Sequence, residues 1–140
     1  MTNEVADKTF NYRAAALEAE ASLIDKGALV GKHTEQVCPV KHSFGDGCYV
    51  REWNSPAGVL TVSKVHKIAH PFFVLKGKVS VLTEDGMQLV EAPHYGITPA
   101  GTKRVLYTHE PTQWVTVHVT NKTNVDDIER DIIANQLEDL

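Results

Sequence analysis

A chain of 140 residues with 42% apolar content and a formal net charge of −4 suits one globular domain, able to bury roughly two-thirds of the surface its unfolded form exposes. Its two cysteines, Cys38 and Cys48, exclude a disulfide framework and a paired C-x-x-C zinc site, and no stretch approaches the ~20 apolar residues that cross a bilayer. Residues 1–35 carry four basic and six acidic groups, 124–140 one and six, and 36–123 nine and six, a spread without the clustered Lys and Arg that nucleic-acid binding demands.

Residues 1–10 are polar and expected to be loose. From Arg13 to Lys26 the run RAAALEAEASLIDK is rich in strong helix formers, and Gly27 stands where a left-handed cap would end a helix. Short β-branched and aromatic runs follow, separated by turn residues: Gly45-Asp46-Gly47, Asn54 to Gly58, Glu84-Asp85-Gly86, Pro99-Ala100-Gly101 and Glu110-Pro111-Thr112. Many short strands joined this way predict an all-β sandwich or small barrel. From Thr123 the pattern changes again. Thr123 or Asn124 can cap, Asp126 and Asp127 fall in the first turn, and Val125, Ile128 and Ile132 form an i, i+3, i+7 stripe, which predicts a short helix with one apolar face. The chain thus divides into an N-terminal arm and helix (1–35), a β-barrel (36–122) and an acidic C-terminal helix and tail (123–140). No basic segment leads into an apolar run near the start, so a soluble, cytoplasmic protein is expected.

Alternation along the strands suggests where chemistry gathers. Leu60, Val62, Lys64 and His66 share one face of an extended run, and His70 keeps that parity if the strand resumes without a bulge. If Thr108 pairs with Trp114 across the turn at 109–113, Arg104 opposes His118. Val105, Tyr107, Val115, Val117 and Val119 then share the other face. Either that valine-rich face is covered by another element or subunit, or it is the core and Arg104 points outward; a one-residue slip reverses the answer.

The landmarks Gly58, Lys64, His66, His70 and Gly77, and the segment Pro99-Ala100-Gly101-Thr102-Lys103-Arg104, resemble the two motifs of the cupin superfamily. There the first motif reads Gly, five residues, His-x-His, three or four residues, Glu, six residues, Gly, and the second Pro-x-Gly-x-x-His. Within the superfamily the chain resembles small single-domain cupins of tailed bacteriophages, through His66 to His70, the run Phe72 to Val79, the Glu84-Asp85-Gly86 turn, and Pro99 to Val105 with Tyr107, His109, Glu110 and Trp114. The resemblance covers roughly residues 38–133. It implies an all-β, single-domain cupin fold, a double-stranded β-helix or jelly-roll barrel with the two flanking helices. It says far less about activity, since one such scaffold hosts many chemistries.

What the resemblance implies for the site is a pocket altered from a metal-binding pattern. Metal-dependent cupins hold Fe, Mn, Ni or Zn through the histidines and the glutamate of these motifs. Carried over by position, His66 is a ligand and His70 replaces the glutamate, while Lys64 and Arg104 stand where histidines would be. A divalent transition metal would then need His66, His70 and a third group, for which His118 is the best candidate and Tyr49 a weaker one. The departures suggest a different use. Lys64, Arg104, perhaps with Lys103, and histidines His66, His70 and His118 would line a cationic pocket for a small anion, since a guanidinium grips a carboxylate or phosphate through two parallel bonds. An isomerase that uses a histidine base would also fit such a pocket. A third reading is structural: the valine-rich face, Trp114 and the apolar stripes of the two helices could join copies into a homodimer or a larger assembly, including a virion component. Gly45-Asp46-Gly47 reads as a turn, and Trp53 as core. The favoured function is a phage-type accessory protein that binds a small molecule or anion; the alternatives are a metal-dependent cupin enzyme and a structural component.

Overall fold

Asn11 starts the first helix by accepting a hydrogen bond from the Ala14 amide through its side chain, which satisfies one of the amides a helix leaves unpaired. Helix α1 (Tyr12–Asp25) ends at Gly27 with φ +85°, as its composition predicts. The structure, a computed structural model, describes residues 11–134; the expectation for the first ten residues and that for the acidic tail lie outside them. Tyr12, Ala16 and Glu20 fall four residues apart on one face of α1, and Tyr12 and Ala16 are buried. Glu20 reaches Lys103, a side chain only 3% exposed, at 2.9 Å. The narrow stripe of an alanine-rich helix therefore seats on the protein's own barrel, and Leu17 and Ile24 stay outside.

Eleven short strands follow: β1 (Val40–Gly45), β2 (Cys48–Ser55), β3 (Leu60–Val62), β4 (Val65–His66), β5 (His70–Lys76), β6 (Lys78–Thr83), β7 (Gly86–Glu91), β8 (His94–Thr98), β9 (Val105–Thr108), β10 (Thr112–Val119) and, after helix α2 (Val125–Ile132), β11 (Ile133–Ala134). They form a larger sheet in the order β1-β2-β10-β5-β8, a smaller one in the order β3-β9-β6-β7, and the pair β4-β11. Phe72, Val74 and Trp114 from the larger sheet meet Val79, Val81 and Leu106 from the smaller in one core, with Trp53 packed against it. Phe72 and Trp114 stack at 4.8 Å between centroids, a separation at which aromatic pairs add to simple burial. Asn124 caps α2, and Ile128 and Ile132 pack on Tyr49, so the predicted stripe is used within the chain.

Two sequence expectations are corrected here. Strands β9 and β10 are not a hairpin pair: β9 lies between β3 and β6, and β10 between β2 and β5. The turn at 109–111 carries the chain from one sheet to the other, which local pattern cannot distinguish from a hairpin. Trp114 is buried core, not an assembly surface. Along β10 the residues Thr112, Trp114, Thr116 and His118 are buried, whereas Val119 is 92% exposed and Val115 and Val117 are half-buried. The valines of β10 thus look outward, joined by exposed Leu75, Tyr95 and Ile97, whereas Val105 of β9 is buried.

Gly77 ends β5 at φ +104°, and a Cβ there would lie 2.5 Å from Thr112 Oγ1 and 2.7 Å from the Pro111 carbonyl. Gly86 has a similar φ of +98° with nothing within 4 Å. We predict that Gly77→Ala lowers unfolding free energy by more than ~2 kcal/mol, because strain and clash add. Gly86→Ala should cost only the backbone term, about 1–2 kcal/mol. Equal losses in urea titrations of the two variants would show that the clash is relieved.

Candidate functional site

Three histidines come together at one end of the barrel from three separate segments. His66 ends β4, where its amide donates to the Thr102 carbonyl at 3.0 Å and its carbonyl accepts from Gly101 at 2.7 Å. The Pro99–Lys103 turn, stitched by Thr102 Oγ1 to the Pro99 carbonyl at 2.6 Å, therefore holds His66 in place. His70 opens β5 opposite Thr98 of β8, and His118 lies near the end of β10 opposite Tyr49 of β2. The His66 and His70 rings are 4.6 Å apart, and the His70 and His118 rings 4.5 Å.

Burial holds these rings neutral. His66 is pushed down to about 3, first by burial and then by the charges of His70, His118, Arg51 and Arg104. His118 is pushed down to about 4 by burial, His70 and Arg51. His70 is lowered by burial too, partly opposed by its hydrogen bond to the Ile68 carbonyl. In that bond His70 Nδ1 donates at 3.0 Å, so its Nε2 keeps the lone pair. His118 Nε2 shares a hydrogen bond with Thr116 Oγ1 at 2.9 Å. His66 Nδ1 is buried with no partner.

Arg104 enters the same space from the opposite sheet. Its backbone is clamped to Ser63, whose hydroxyl accepts from the Arg104 amide and whose amide donates to the Arg104 carbonyl, both at 2.8 Å. The guanidinium lies over the Phe72 ring, 5.8 Å from its centroid, within the range of a cation–π contact. One of its terminal nitrogens reaches Thr98 Oγ1 only at 3.5 Å, and Nε is buried without a partner. Burial lowers its pKa, but from a value so high that the group stays charged.

The structure brings four of the five residues named from the sequence together and leaves one outside. His66, His70, Arg104 and His118 converge, whereas Lys64 is exposed. The extended run breaks at Ser63 and Lys64, between β3 and β4, so Lys64 loses the parity it would share with His66. Lys103 is buried on the outer side against Glu20, away from the histidines. Tyr49 stacks on His118 at 5.7 Å, but its hydroxyl shares a hydrogen bond with His42 Nδ1 at 2.6 Å, and burial raises its pKa to about 12, which makes it a poor ligand. Sequence reasoning missed Arg51, which alternates with Tyr49 along β2 and faces Thr116, and Thr98 at the foot of Arg104. The parity of β2 could have found Arg51. Thr98 carried no signal.

Other features lie elsewhere. A surface cleft of about 340 Å³, lined by Pro39, Pro56, Lys76 and Pro111 among others, sits at the far end of β5 and β10 from the histidines. A hydrogen bond between Ser80 Oγ and His109 Nε2 at 2.7 Å is exposed, on the face of β6 opposite buried Val79 and Val81. Among the described residues, no group of three or more His, Cys, Asp or Glu side chains is placed to hold a metal ion, and no helix is long and apolar enough to cross a membrane.

Comparison with solved structures decides the architecture. The DMSP lyase DddQ of Ruegeria pomeroyi superposes with a TM-score of 0.56 at 15% identity over 71% of this chain and 55% of that one. The cupin domain of a transcriptional regulator from Enterobacter cloacae gives 0.52 at 12% identity, over 62% of this chain and all of the other. The cupin domain of Schizosaccharomyces pombe Cnp3 gives 0.50 at 18% identity, over 68% and 72%. The chain has the cupin fold. At these identities the likeness extends to the fold alone. No protein-family model and no curated protein matches the sequence.

The depressed histidines make stability depend on pH. A histidine near 6.5 unfolded and near 3 or 4 folded takes up its proton only on unfolding across that interval. Its stabilising effect is complete above about pH 6.5 and is lost as pH falls towards the folded values. We predict that unfolding free energy at pH 4.5 is lower than at pH 7 by about 2 kcal/mol or more. The slope should be shallower in His118→Asn. A flat profile between these pH values in denaturant titrations would mean that the rings are solvated.

Proposed function

We propose that this cupin binds a small anionic molecule inside its barrel, with Arg104 as the counter-charge and His66, His70 and His118 as neutral hydrogen-bonding groups around it. The observation that supports this most is the state of Arg104: buried Nε without a partner, and no ion pair with an acidic side chain among the described residues. An uncompensated charge in a barrel interior costs several kcal/mol. A bound carboxylate or phosphate would recover that cost through charge-assisted bonds. The three imidazoles, held neutral, add donors and acceptors without adding charge. The hydroxyl and imidazole that do pair in this cluster, Thr116 Oγ1 and His118 Nε2 at 2.9 Å, are both buried, and binding without turnover is the simpler reading. A phage-type accessory role rests on the sequence resemblance.

The same observation makes the test unusual. Replacing Arg104 by Met should leave the free protein as stable or more so, since removing a buried unpaired charge costs little. The same change should abolish the rise in Tm that anions produce in the wild type, a rise set by concentration over Kd. Thermal scans with acetate, succinate, citrate, phosphate and sulfate check both. No response in the wild type to any of them would overturn the reading.

A second reading has its own support. Neutral imidazoles are the right donors for a divalent transition metal, and His70 is already oriented by its backbone bond to Ile68 as metal-binding histidines are. As they stand the three rings are not placed to hold an ion, and His118 Nε2 is engaged by Thr116; His66, His70 and His118 would hold one only after their rings turn, and it would then polarise a substrate oxygen or engage dioxygen. About one equivalent of Fe, Mn, Ni or Zn in elemental analysis of untagged protein, lost in His66→Ala, would establish it. Metal-free wild type prepared without chelator would dismiss it.

A further inference from the structure

Arg51 lies on the inner face of β2, alternating with buried Tyr49 and standing opposite Thr116 of β10 and His42 of β1. It is half-buried. Strand parity puts Arg51 on the same face of β2 as buried Tyr49, in register with buried Thr116, and its charge acts on Tyr49, His66 and His118 alike. Glu35 and Glu129 also act on Tyr49, yet neither pairs with Arg51. The ion pairs among the described residues are Lys32–Asp126, Lys103–Glu20, Lys122–Asp131 and Arg130–Asp127, and neither Arg51 nor Arg104 takes part in them.

The two arginines approach the cluster from different sides. Arg104 lies over Phe72 on β5, and β5 is separated from β2 by β10, so the two backbones are roughly 10 Å apart at the usual strand spacing. Thr116 and His118 of β10 lie between them. We propose that the anion bound in this barrel is a short dicarboxylate, one carboxylate gripped by Arg104 and the other by Arg51, with Thr116 and the imidazoles facing its middle. The inference rests on the anion-binding reading above and names its ligand class. Charge balance supports it, because two cations among neutral rings call for two negative charges. Shape supports it as well. A compact tetrahedral anion at one guanidinium leaves the other unpaired, whereas a two-headed anion satisfies both through the bidentate bonds that guanidinium groups favour.

The test is isothermal titration of the full chain and its variants with acetate, propionate, malonate, succinate, glutarate and inorganic phosphate. In the wild type at least one dicarboxylate should bind about tenfold or more tightly than acetate or propionate, the value of one added charge-assisted contact. Arg51→Gln should bring that ratio close to one while keeping monocarboxylate affinity, and Arg104→Gln should remove both. If Arg51→Gln fails to fold by circular dichroism, Arg51→Lys decides: a several-fold fall in the ratio supports the assignment, and an unchanged ratio overturns it. Equal affinities for mono- and dicarboxylates in the wild type, or tightest binding of phosphate, would overturn the dicarboxylate and leave anion binding standing. Binding of none of the six would overturn both.

Discussion

Strand β10 runs between β2 and β5, and its alternation decides what the barrel contains. Thr112, Trp114, Thr116 and His118 point inward, and the valines between them point out. On hydrophobicity alone the opposite choice looks better, since three valines would enter the core. What reverses it is Trp114, whose ring stacks on Phe72 between the sheets. One large aromatic buries more apolar area than a pair of valines gains from moving out of a half-buried position. Once Trp114 is inside, the period of two carries Thr116 and His118 inside as well. The polar interior is thus a consequence of how the aromatic core is anchored.

That polar interior is electrically unusual. Histidines usually offer a site a titratable charge near neutral pH. Here the three rings are packed 4.5 to 4.6 Å apart, where burial and mutual repulsion keep them uncharged. The permanent charge comes from guanidinium groups, which cannot discharge by losing a proton. Such a site holds its polarity over a wide pH range, and it does so at a cost in stability that a ligand can lift. The orphaned Nε of Arg104 and Nδ1 of His66 are the visible form of that cost, because buried polar atoms in folded proteins are nearly always paired.

The architecture around the site is distributed between both ends of the chain. The β4 strand that ends in His66 pairs with β11, and Lys103, next to Arg104, is tied to Glu20 of α1. The two terminal helices therefore brace the segments that carry His66 and Arg104. Their apolar stripes, which as sequence could equally join subunits, are spent on this bracing. Exposed apolar side chains remain on the outer face of the larger sheet, at Leu75, Tyr95, Ile97 and Val119, and also on α1, at Leu17 and Ile24, and on β7, at Met87 and Leu89.

Much of this was legible in the sequence, and the reasons differ by residue. The two helices follow from local chemistry: alanine-rich composition with Gly27 for one, and the Asn124 cap with the Ile128 and Ile132 stripe for the other. The turns at 45–47 and 84–86 follow from glycine and aspartate, a sandwich or small barrel from the many short strands, and the cupin fold from the resemblance of Gly58, His66, His70, Gly77 and the Pro99 to Arg104 segment to that superfamily's motifs. His66, His70 and Arg104 could be named as candidates from motif position, whereas His118 was suggested by a β9–β10 pairing that the structure does not have and reaches the cluster from β10 between β2 and β5 instead. Lys64 failed because a strand break at Ser63 and Lys64 resets parity, and two residues of irregular backbone leave no compositional trace. The pairing of β9 with β10 failed because a turn between sheets and a hairpin turn use the same residues. Local preference thus determined the elements, their order and the candidate residues. Which strands became neighbours and which way Arg104 points were decided only by tertiary packing, because those depend on contacts between segments far apart in the chain that compete for one core.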